Sequence, residues 1–180
     1  MIGATTALAL LHEECLVALG GDNPEVVSAA AARATMALHR KAIARKFADI
    51  AETTIIHRSP KLTMLVVPSP PGFWSWPHEH TGWAVAAMLQ GAEEHIVFDR
   101  HDHGIVERRR FRIDEGIGAA LPANVVHAAG NDGDTVSLGL HVLAGDPFGE
   151  PRLEWDPTTG QSRTLDAQSL RRRHAAMTRA

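Results

Sequence analysis

Residues 72–91 read GFWSWPHEHTGWAVAAMLQG, and the pair His78-Glu79-His80 at their centre decides how the rest is read. In an extended chain, residues two apart point to one face. His78 and His80 therefore share a face and Glu79 takes the other. A single His-x-His pair is weak evidence for a site. The chain holds a second one, His101-Asp102-His103, set between Asp99, Arg100 and Gly104 and read as an exposed hairpin turn. The first pair gains weight from a partner stretch at 116–131, GIGAALPANVVHAAGN, in which Gly116, Pro122, Asn124, His127 and Asn131 recur at set intervals. Three neutral imidazoles from two such stretches suit iron, zinc, copper or nickel, and not calcium or magnesium.

Working outward, the chain from about Thr53 breaks into short β-rich runs: 53–58, 62–67, 82–89, 93–98, 104–113, 116–121, 124–129 and 135–143. Ser59-Pro60, 68–72, Gly91, 102–104, 114–116 and 131–134 separate them as turn punctuation. Strands of this length and number predict a closed or double-sheet β architecture. Upstream, Ala7–Leu19 predicts a helix stopped by Gly20-Gly21, and Pro24 to about Ile50 a second one capped by Asp22 or Asn23. After Gly145 the chain is rich in Pro and Asp and is expected to wrap the barrel. A short helix is expected from Leu165 to about Met177. The division that follows is a helical cap over 1–52, a β-barrel with the metal site over 53–148, and a C-terminal wrap and helix over 149–180.

Composition sets bounds on partners. The formal charge of −3 gives no global field towards nucleic acid or anionic lipid. The basic run Arg171-Arg172-Arg173 reads as a solvated helix face. A lone cysteine, Cys15, excludes an internal disulfide framework and a Cys-rich zinc site. No apolar run approaches the roughly 18 residues of a membrane span. The apolar start of the chain lacks a basic n-region and runs into His12, Glu13 and Glu14, so a cytoplasmic protein is expected. Histidine occurs 11 times and tyrosine not at all, which restricts the acid–base groups on offer.

The two stretches resemble the paired signatures of the cupin superfamily, with Asn124 where glycine is usual and Ala84 where glutamate is common. From Ile55 to Asp156 the chain resembles the cysteine dioxygenase (thiol dioxygenase) branch, carried by 55–72 (IIHRSPKLTMLVVPSPPG), 77–91, 121–133 and 140–148 (LHVLAGDPF), with EWDP at 154–157. The resemblance implies an all-β core, the cupin double-stranded β-helix, with the helical extensions given above. It implies ferrous iron on His78, His80 and His127, and dioxygen as co-substrate. Both oxygen atoms would be added to a small thiol, cysteine-like or a mercapto-carboxylate, giving its sulfinate. With Ala84 in place of a carboxylate, the metal would keep its full charge and favour an anionic ligand such as a thiolate.

By position, Arg58 falls where the family pairs an arginine with the substrate carboxylate; its plain reading is a strand-end surface arginine. His141 matches the histidine of a Ser-His-Tyr relay, although Leu143 replaces the tyrosine and Gly139 the serine. Ser137, one strand period earlier, is a partial stand-in. Trp74, Trp76 and Trp83 line a pocket or fill the core, and Trp83 reads as core. Two further readings keep the fold: a metal cupin of other chemistry, such as a carbon–carbon cleaving oxygenase or an isomerase, and a non-catalytic cupin binding a small ligand. The partner in each case is a small molecule, with the protein a monomer or homodimer.

Overall fold

The computed structural model describes residues 2–80 and 82–165. The C-terminal helix expected from Leu165 lies, beyond that first residue, outside the described residues, as does 171–173. Two helices come first, α1 (Ala4–Ala18) and α2 (Pro24–Lys46). The N–H groups of Gly20 and Gly21 bond to the carbonyls of Val17 and Ala18 and end α1. Helix α2 opens on Pro24 and Glu25 and closes on Arg45 and Lys46, charges that complement the helix dipole. Asn23 stands at the cap position in a left-handed conformation, φ 52°, and its side chain makes no cap bond. The helix stops at Lys46, short of Ile50.

Eleven strands follow: β1 (Thr54–Arg58), β2 (Leu62–Ser69), β3 (His78–Glu79), β4 (Ala84–Gln90), β5 (Glu93–His101), β6 (Gly104–Ile113), β7 (Gly118–Leu121), β8 (Val126–Gly130), β9 (Ser137–Ala144), β10 (Leu153–Trp155) and β11 (Ser162–Thr164). They form two antiparallel sheets, one ordered β1-β2-β9-β4-β7 and the other β11-β10-β3-β8-β5-β6. This is the all-β double-stranded β-helix of the cupin type, with helices packed outside it. All eight runs picked out from the sequence contain a strand. The chain after Gly145 does more than wrap the barrel. It adds β10 and β11 to the second sheet, where Glu154 of β10 pairs with His78 of β3.

The first sheet is buried on both faces, because α2 covers its outside. Met64, Val66, Val85, Ala87, Leu89, Leu140 and Val142 face Ala29, Ala32, Met36 and Ile43 of α2 in one apolar cluster. The alternate set, including Leu65, Ala84 and Leu143, turns to the barrel interior. That is why β4 reads as a nearly unbroken apolar run, AVAAMLQ. The second sheet keeps the half-polar alternation of a sheet with one wet face: along β5, Glu93, His95 and Val97 are buried, while Glu94, Ile96 and Phe98 are only partly so.

Candidate metal centre

Strand pairing brings the imidazoles together. His78 of β3 lies directly opposite His127 of β8. Beyond them the pairing continues through His80 N–H to Val125 O and Asn124 N–H to His80 O. The turn before β8 needs a left-handed residue, which is Asn124 at φ 61°. Asparagine is one of the few side chains that tolerate this region, so it can stand where cupins usually carry glycine.

The His80 and His127 Nε2 atoms lie 2.9 Å apart, and those of His80 and His78 lie 3.3 Å apart. One ligand atom from each of the three falls within 4.8 Å of the others. Imidazole nitrogens at about 2.1 Å from one ion, on adjacent octahedral or tetrahedral positions, sit about 2.9–3.4 Å apart. Two of the three separations fall in that range and the third lies within 4.8 Å, so the trio could hold a single ion. The His78 Nδ1–H donates to Trp76 O at 2.9 Å, which leaves its Nε2 lone pair for a metal. Burial holds all three rings neutral: it pushes His78 down to about 4, and His80 and His127 well below the usual imidazole range.

Behind His127 stand two residues that the two signature stretches do not contain. His95 Nδ1 is 3.3 Å from His127 Nδ1, and His95 Nε2 is 3.0 Å from Glu93 Oε2. Glu93 and His95 are both buried. Burial alone would raise the Glu93 carboxyl, but His141 and the bond to His95 bring it below its ordinary range. The group able to hold a metal is still three imidazoles with no carboxylate among them; the Glu93 carboxylate lies in the cavity wall, behind His127. The sequence signal was the alternation Glu93, His95, Val97, which puts an acid and an imidazole on the inward face of a strand.

The trio opens into a cavity of about 160 Å³, small beside the roughly 300–1,000 Å³ of drug-sized sites. Its walls are largely apolar, among them Leu65, Val67, Phe73, Leu143 and Phe148, with Glu93, His141 and Arg152 as polar groups. Arg152 is buried at 8% exposure. Burial lowers its pKa against the pull of Glu79 and Glu154. Among the described residues its guanidinium takes part in no ion pair. A buried cation in that condition favours an anion beside it.

The other residues singled out from the sequence fall as follows. Arg58 is exposed; its Nε and Nη2 donate to the two Asp146 oxygens at 2.9 Å each, and its guanidinium lies over the Phe148 ring. It braces the turn that carries Phe148 and does not line the cavity, so it is not placed to meet a substrate carboxylate there. His141, on β9 in the facing sheet, does line it. Its Nε2 is buried without a hydrogen bond and lies 3.7 Å from Glu93 Oε2. Burial holds this ring below the usual imidazole range too, although Glu93 opposes the shift.

A Cβ at Gly139 would lie 2.7 Å from His141 Nε2, so a serine there would require the His141 ring to shift. Ser137 is no stand-in, since its hydroxyl makes no hydrogen bond. Leu143 presents an apolar side chain where the relay would need a phenol. None of Trp74, Trp76 and Trp83 lines the cavity: Trp83 is in the helix-facing core, Trp74 donates to Asp132, and Trp76 stacks under Arg163. His101 and His103 are exposed at the β5–β6 turn.

No family model and no curated protein matches the chain. Among solved structures it is similar to a cupin 2 conserved barrel domain protein from Leptotrichia buccalis, at 25% identity and a TM-score of 0.43 over 51% of this chain and 39% of that one. It is also similar to an RmlC-like cupin family protein with a double-stranded β-helix fold from Methanocaldococcus jannaschii, at 15% identity and 0.45 over 55% and 85%. A DMSP lyase from Ruegeria pomeroyi aligns at 20% identity and 0.43 over 54% and 48%. The chain thus matches well under half of the first of these proteins, and the fold stands on the strand order given above.

Proposed function

We propose that the chain is a ferrous thiol dioxygenase of the cupin class, converting a small thiol that carries a carboxylate into its sulfinate. The observation that carries the reading is the sharing of one small cavity by three neutral imidazoles and the buried cation of Arg152. Iron, when bound to His78, His80 and His127, would supply a redox-active Lewis acid that lowers the thiol pKa. Arg152 would take the substrate carboxylate through a charge-assisted, bidentate bond and so orient the sulfur towards the trio. Leu65, Val67 and Leu143 exclude water around the carbon chain. The thiol proton would pass to the His141 ring, which lines the cavity with its Nε2 3.7 Å from Glu93 Oε2. Overall, RSH and O2 give RSO2− and one proton: sulfur loses four electrons, dioxygen gains four, and both oxygen atoms end on sulfur.

The test is oxygen uptake by anaerobically iron-loaded protein across a panel of thiols, with the sulfinate identified by mass. Mercapto-carboxylates should turn over and their decarboxylated analogues should not. Losing a charged hydrogen bond costs about 1.5–3 kcal/mol, so Arg152→Leu should raise KM about 10- to 100-fold. Arg58→Leu should leave KM nearly unchanged. Failure of every thiol to consume oxygen would reject the proposal. Leu143 in place of the phenol favours a second reading, another metal-dependent reaction on a small carboxylate. A native zinc or nickel content, with inertness to thiols, would select it.

A further inference from the structure

We propose that Glu93 is a positioning residue for the metal centre: acting through His95, it holds His127 in the tautomer that offers Nε2 as a bare lone pair, and it supplies, one imidazole removed, the negative charge that the three ligands lack. This rests on the metal site of the preceding reading and not on its thiol chemistry.

The assignment follows from counting protons along the chain of contacts. An ionised carboxylate can only accept, so at 3.0 Å the His95 Nε2 must carry the hydrogen. A neutral imidazole holds one ring proton, which leaves His95 Nδ1 bare. The nitrogen facing it at 3.3 Å, His127 Nδ1, must then donate. His127 Nε2 is thereby left unprotonated, and this is the atom that meets His80 Nε2 at 2.9 Å. Reversing the chain would need a proton on Glu93; it would put a hydrogen on His127 Nε2 and close that ligand position.

The ring geometry agrees. The His95 and His127 planes differ by only 8°, with centroids 5.4 Å apart. Facing nitrogens at 3.3 Å, about two ring radii less than the centroid separation, mean that the parallel rings meet edge to edge and do not lie face over face. The register enforces it: on the β5–β8 ladder, His95 pairs with Ala129 and Val97 with His127, so the two histidines are diagonal neighbours on the inward face. His95 is also clamped from its other side by Phe111, whose ring lies 5.1 Å away at 14°. The pair is buried, with His95 at 0% exposure and Glu93, at the cavity wall, at 4%.

The experiment uses the full chain stripped of metal by a chelator. Long-range nitrogen–proton NMR of the imidazoles at neutral pH reads the tautomers directly. His127 is expected with its proton on Nδ1, and a proton on Nε2 overturns the proposal without any variant. Cobalt(II) titration, followed by its visible absorption, then compares the unaltered protein with Glu93→Gln. Loss of such a support costs about 10- to 100-fold in metal affinity, and a weakening in that range is expected. Equal cobalt affinity in both proteins overturns this inference alone. Absence of cobalt binding by the unaltered protein overturns it together with the metal reading beneath it.

Discussion

Acidification of the metal-free protein tests the burial of the ligand histidines most directly. His78 is held neutral down to about 4, whereas an imidazole in the unfolded chain takes its proton near 6.5. Between those two values the unfolded state binds more protons than the folded one, so stability falls as the pH falls. It is fully present above about pH 6.5 and is lost progressively down to about pH 4. A difference of about 2.5 units, at 1.36 kcal/mol each, makes the loss from His78 about 3 kcal/mol. His80, His127 and His141 shift in the same direction and steepen the slope. Against a total of about 5–15 kcal/mol for a domain, the apo protein should unfold before pH 4 is reached. Urea midpoints measured in steps from about pH 7.5 to 4.5, at constant ionic strength, read the effect. His78→Gln should flatten the curve. A midpoint that stays level from about pH 7 to 5 would refute the reasoning, because the rings would then be titrating as in the unfolded chain.

Three other outcomes are expected. A serine introduced by Gly139→Ser should destabilise by about 1–3 kcal/mol, since its Cβ would lie 2.7 Å from the His141 ring; thermal unfolding measures it, and an unchanged Tm would show that the ring has another place to go. At Asn124, φ 61°, substitution by valine should cost about 1–2 kcal/mol while glycine is tolerated, as chemical denaturation of both variants would show. Ile43→Ala empties a fully buried position between α2 and the first sheet and should cost about 2–5 kcal/mol; a loss below about 1 kcal/mol would mean that the helix contributes little to the barrel.

The grouping of the three histidines was legible in the sequence because strand geometry is periodic: His78 and His80 had to share a face, and the second stretch supplied a third imidazole at a turn-bounded distance. The strands of the barrel were legible for the same reason. Glu93 and His95 were not, since 93–98 reads as an ordinary alternating strand, and only the β5–β8 register shows that its polar face points behind a ligand. Arg152 was hidden by its setting in Pro- and Asp-rich chain, where two three-residue strands leave little periodic signal. Arg58 was drawn from family position alone. The edge strand β1 instead places it outside the barrel, and Asp146, brought close by the end of β9, takes up its guanidinium.

The ligands and the cavity's cation come from separate stretches of chain. His78, His80 and His127 are set by β3, β8 and the turns beside them, whereas Arg152 enters just ahead of β10, after the last strand of the first sheet. On the proposed reading, a side-chain change at Arg152, ahead of the strand that pairs with β3, would alter which small molecule is accepted. If that holds, a lineage carrying this barrel could exchange its small-molecule partner by editing one short segment, and a designer could do the same.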